Sequence, residues 1–74
     1  MPRPFHELIE ANLRREAFLK GIALETIAQT SGISLERLLA IFSGDWPPDL
    51  QLIGRIAESV GLTAAELLTE PELN

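Results

Sequence analysis

Four glycines divide this chain into helical segments. Gly21, Gly32, Gly44 and Gly61 each follow a stretch whose apolar residues recur at three- and four-residue spacing, and a glycine just past such a stretch is the usual stop signal of a helix. No stretch shows sustained alternation of apolar and polar side chains, and β-branched residues are scattered, so strands are not expected. At 74 residues the chain is long enough for one small domain. The expectation is an all-α fold, a compact bundle of five short helices forming a single domain over residues 1–74, with residues 1–4 and 71–74 frayed.

The segments between the glycines define the helices. The first follows Pro4, with Phe5, Ile9, Leu13 and Ala17 as its apolar stripe. The second runs from about Leu24 to Thr30 with Leu24, Ile27 and Ala28 inward, and Ile33 can plug inward after Gly32. Ser34 is a good N-cap for a third helix over about Leu35 to Ser43. Asp45-Trp46-Pro47-Pro48-Asp49 is a stiff turn, because two prolines forbid helix continuation. A fourth helix spans about Asp49 to Val60, with Leu50, Ile53, Ala57 and Val60 inward, and Gly54 within it suggests a close helix neighbour. Thr63-Ala64-Ala65-Glu66 reads as a capping box and Leu62 with Leu67 as a hydrophobic staple, opening a fifth helix that ends before Pro71.

Composition removes several function classes. The chain has no cysteine, so disulfides, thiolate catalysis and Cys-built zinc sites are excluded. With His6 as the single histidine, a surface residue near Glu7 and Glu10, no histidine-based metal cluster is available. No nucleophile–base pair or phosphate-cradling glycine loop can be assembled, so neither an enzyme nor a cofactor is expected. The longest purely apolar run is Leu38–Phe42, far short of a membrane span or a signal-peptide core. A cytoplasmic address is the default that follows. The net charge of −5 is uneven. Residues 1–37 balance, whereas residues 38–74 set Arg55 alone against Asp45, Asp49, Glu58, Glu66, Glu70 and Glu72.

The ordered series Gly21, Ile27-Ala28, Gly32-Ile33-Ser34, Leu38, Ile41 and Gly44, followed by Pro48, Ile56-Ala57, Gly61-Leu62 and Glu66-Leu67-Leu68, resembles the phage-repressor and Cro-like helix-turn-helix family, the XRE group of bacterial regulators. The resemblance covers about Leu13 to Leu68. It implies a lambda-repressor-like domain whose third helix enters a DNA major groove, usually as a dimer on a palindromic operator. Ser34, Glu36 and Arg37 are then the candidates for bases or phosphates, and Arg14, Arg15 and Lys20 for the DNA backbone. The chain departs from the family pattern in three places. Ala23 and Leu24 stand where the family often places Ser or Thr and then Gln, and Phe42 where it commonly has Glu.

Two readings follow. In the first the chain is a small DNA-binding transcriptional regulator. In the second the scaffold has become a protein-interaction or dimerisation module. At about 100° per residue, Leu35 and Leu39 fall well to the side of Leu38 and Ile41. If that last pair anchors the helix, Leu35, Leu39, Phe42 and Trp46 form a candidate apolar interface for a second copy or another protein.

Overall fold

Helix starts and stops lie within about one residue of where local chemistry places them. The structure, a computed structural model, describes residues 3–70. It holds α1 (Phe5–Lys20), α2 (Leu24–Ser31), α3 (Leu35–Ser43), α4 (Leu50–Ser59) and α5 (Ala64–Leu67), with no strand among the described residues. Ser34 Oγ accepts from the Arg37 amide at the start of α3, and Asp49 Oδ1 accepts from the Leu52 amide at the start of α4. The capping box is complete: Thr63 Oγ1 accepts from the Glu66 amide at 3.1 Å, while Glu66 Oε1 accepts from the Thr63 amide at 2.9 Å. A helix as short as α5 has little stability of its own. Thr63→Ala is therefore expected to cost about 1 kcal/mol in a denaturant titration, with fastest amide exchange in α5.

All five helices contribute to one core. Ile9 and Leu13 of α1, Ile27 of α2, Leu38 and Ile41 of α3, Ile56 of α4 and Leu67 of α5 are essentially sealed from solvent. α2 packs on α4, α4 on α5, and α1 bridges α3 and α5, while α2 and α3 also meet each other. The last two form a helix-turn-helix resting on the remaining helices.

The structure corrects two inward assignments and one expected helix contact. Phe5, expected in the α1 stripe, is 67% exposed, and Leu50, expected inside α4, is 73% exposed. Each is the first residue of its helix, one turn ahead of the first residue that reaches the core. Leu8 and Asn12 fill out the inner face of α1, and Ile56 that of α4. Gly54 has no close neighbour, since a Cβ built there meets nothing within 4 Å. It faces a shallow open groove beside Gln51, Arg55, Glu58 and Leu62.

Of the ends expected to fray, residues 1–2 and 71–74 lie outside the described residues. Arg3 and Pro4 are placed, with the Arg3 guanidinium 2.9 Å from the Glu70 carboxylate.

Two polar residues join distant elements. Asn12 is 1% exposed, and its Nδ2 donates to the carbonyls of Leu67 at 2.7 Å and Thr69 at 2.8 Å. It thereby satisfies acceptors at the end of α5 that have no intrahelical partner. His6, expected as a surface residue, is half-buried. Its Nδ1 lies 3.0 Å from the Phe42 carbonyl, and a carbonyl cannot donate, so Nδ1 carries the proton. The ring caps the C-terminal end of α3.

Candidate nucleic-acid interface

The turn between α2 and α3 is held from inside. Gly32 takes a left-handed conformation (φ 78°) that ends α2, and Ile33 packs against the core. The buried Ser31 hydroxyl donates back to the Ile27 carbonyl at 2.7 Å. With Leu38 and Ile41 anchoring α3, the outer surface of the unit is set. It carries Glu25, Thr26, Gln29 and Thr30 from α2, Ser34 from the turn, and Glu36, Arg37, Leu39 and Ser43 from α3. Apart from Leu39 these are hydrogen-bonding side chains, the kind that reads base edges and phosphates. The start of α2 is poorer. Its N-cap Ala23 makes no side-chain bond, and Leu24 is half-buried.

The sequence-derived candidates for DNA fall into two groups. Ser34, Glu36 and Arg37 share the first turn of α3, and the Ser34 hydroxyl is occupied by the Arg37 amide. The cations of α1 are engaged elsewhere. Arg14 pairs with Glu10 at 2.8 Å, and its guanidinium lies 5.1 Å above the Phe42 ring. Arg15 and Lys20 approach Glu16 at 3.6 and 3.3 Å, and Lys20 Nζ also donates to the Val60 carbonyl. Such half-exposed pairs are worth at most about 1 kcal/mol, so an incoming phosphate can displace the carboxylate at small cost. Arg37 has no carboxylate partner among the described residues. Its guanidinium sits 4.5 Å from the centre of the Trp46 ring.

The expected apolar interface does not hold together as a surface. Phe42 is a correction: it is 5% exposed and belongs to the core. Helical periodicity leaves it on the boundary, and the position of α1, which packs on α3 and lays Arg14 over the ring, decides the matter. Leu35 and Trp46 are half-buried and packed against the core. Leu39 alone of the four is exposed, at 43%.

A small apolar cleft of about 210 Å³ lies between the start of α1 and the α3–α4 connection, bordered by Phe5, Trp46, Pro47, Pro48 and Ile53. No group of three or more potential metal-ligating side chains comes together among the described residues. No described helix is long and apolar enough to cross a membrane. Sequence reasoning missed the linking roles of Asn12 and His6. For Asn12 one signal was present, a polar residue beside Leu8, Ile9 and Leu13 at core spacing.

No protein-family model matches the chain, and neither does any curated protein sequence. Among solved structures it is similar to one described as a hypothetical transcription factor, NHTF, from Neisseria. The TM-score is 0.84 at 24% sequence identity, over 96% of this chain and 82% of the other. The two chains share a fold. That likeness is one of architecture, extending to all five helices and their order.

Proposed function

We propose that the chain is a small helix-turn-helix regulator of the phage-repressor and Cro-like (XRE) type, binding duplex DNA through α3 as a pair of identical copies. One observation carries this reading: the α2–turn–α3 unit is locked to the core by Ile27, Ile33, Leu38 and Ile41, while its outer surface offers hydroxyl, amide, carboxylate and guanidinium groups. A helix held in that way fits a major groove. The Neisseria neighbour, described as a hypothetical transcription factor, supports the same reading. An interaction module built on Leu35, Leu39, Phe42 and Trp46 has less support, since burial of Phe42 removes the centre of its face.

Charge sets the style of binding. Arg37 is the one cation of α2, the turn and α3. Each phosphate neutralised contributes a slope of about −0.9 to the dependence of log affinity on log salt. The expected slope is therefore shallow, about −1 to −2 per copy, and specificity rests on hydrogen bonds to base edges, including those of Arg37, more than on neutralised phosphates.

Selection from a random duplex pool at low salt tests the reading. The enriched site is expected to be two-fold symmetric, with half-sites about one helical turn apart. Anisotropy titrations on that site are expected to show at least about a tenfold loss for Arg37→Glu. Glu36 presents a carboxylate to the same groove. At roughly 6–8 Å from a phosphate it costs about 0.5–0.7 kcal/mol in water, so Glu36→Gln should tighten nonspecific binding about two- to threefold. Enrichment of no duplex would dispose of the proposal.

A further inference from the structure

Arg37 is held at both ends. It is the third residue of α3, and its amide donates to Ser34 Oγ at 3.1 Å, so the backbone that bears it is pinned by the helix cap. Its guanidinium lies over the Trp46 ring at 4.5 Å, inside the range of a cation–π contact. Trp46 is itself a stiff platform. Its amide reaches the Ala40 carbonyl at 3.3 Å, joining that of Asp45 at 2.9 Å. The two prolines that follow restrict the chain, and the half-buried Trp46 packs against the core. Arg3, Arg14, Arg15 and Lys20 are tied to carboxylates, whereas Arg37 is tied to an aromatic face.

That difference has a chemical consequence. A carboxylate partner occupies the in-plane donors of a guanidinium. An aromatic face occupies the π surface and leaves the five N–H groups of the planar fork available at its edge. A free arginine side chain must surrender considerable rotamer freedom on binding, and one already laid on a rigid ring has less to surrender. The acceptor that matches a fork presented from a helix in the major groove is the O6/N7 pair of guanine.

We propose that Trp46 is a positioning residue that holds Arg37 as a pre-set guanine reader, so that the Arg37–Trp46 pair fixes one guanine in each half-site. This rests on the DNA-binding reading above. Trp46 touches no base in this scheme and acts only through the orientation of Arg37.

The experiment uses the duplex enriched by wild-type protein, each guanine replaced in turn by 7-deazaguanine, which lacks the N7 acceptor. Wild type is expected to lose about tenfold affinity at one guanine per half-site. Trp46→Leu should reduce that loss to within about threefold, and Trp46→Phe, which keeps an aromatic face, should restore most of it. Circular dichroism melts establish that the variants fold. Trp46 is the only tryptophan, so its fluorescence reports the stack directly. Arg37→Ala, which leaves Trp46 in place, is expected to change its quantum yield, and this arm stands even where Trp46→Leu does not fold. An unchanged yield overturns the clamp, and so does equal guanine discrimination in wild type and Trp46→Leu. In both cases DNA binding itself survives. If no duplex is enriched at all, the DNA reading falls and the clamp's role in recognition falls with it.

Discussion

Replacing Asn12 with leucine is expected to lower the melting temperature by roughly 12–24 °C. The side chain is sealed in the core, and its amide nitrogen serves two carbonyls, those of Leu67 and Thr69. Leucine keeps the approximate volume and removes the donor. Leaving a buried acceptor without a partner costs about 1–3 kcal/mol, and with two carbonyls affected, one of them only partly buried, a total of about 3 kcal/mol is expected. A domain of this length has about 4–11 kcal/mol of stability in all, so the change removes a large share. Asn12→Asp should be at least as harmful, because it sets a carboxylate against two carbonyl oxygens. Thermal melts followed by circular dichroism measure the effect. Hydrogen exchange should place the earliest loss of protection in α5 and the end of α1. A shift under 3 °C for both variants would mean that the amide does not hold α5.

Gly44→Ala should cost about 2–3 kcal/mol, from two separable sources. Gly44 closes α3 in a left-handed conformation (φ 84°), which penalises any L side chain by about 1–2 kcal/mol. A Cβ there would also lie 3.0 Å from two atoms of the His6 ring, which must move and so weaken its bond to the Phe42 carbonyl, at about 1 kcal/mol. Gly32 supplies the control. Its φ is similar at 78°, but a Cβ there meets nothing within 4 Å, so Gly32→Ala should show the backbone penalty alone. In a His6→Ala background, Gly44→Ala should fall to the Gly32→Ala level. Denaturant titrations of these variants form a double-mutant cycle, and a coupling near zero would show that the histidine and the glycine act independently.

Much of the fold was legible because its punctuation is local. Ser34 and Thr63 cap the helices that follow them, and Gly21, Gly32 and Gly44 end the helices that precede them, using groups only a few residues away. The anchoring of α3 by Leu38 and Ile41 is likewise a matter of periodicity, and Glu10 with Arg14 is an i, i+4 pair visible in the sequence. What could not be read depends on where one helix lies against another. Phe42 sits at the edge of the α3 stripe, and only the placement of α1 closes over it. Phe5 and Leu50 continue apolar stripes yet begin their helices beyond the sealed interior. Asn12 finds its acceptors 55 and 57 residues away, and His6 finds its own 36 residues away. The candidate site divides along the same line. That Arg37 heads α3 follows from the Ser34 cap, whereas its rest on Trp46 depends on the path of the chain through the following turn.

The Arg3–Glu70 ion pair sets the first and last described residues side by side. A short bridge of flexible residues could therefore join position 3 to position 70 with little loss of chain entropy, and new ends could be opened in the exposed α3–α4 connection. A chain rewired in this way would keep every helix and its neighbours while its two ends lay beside the Arg37–Trp46 pair.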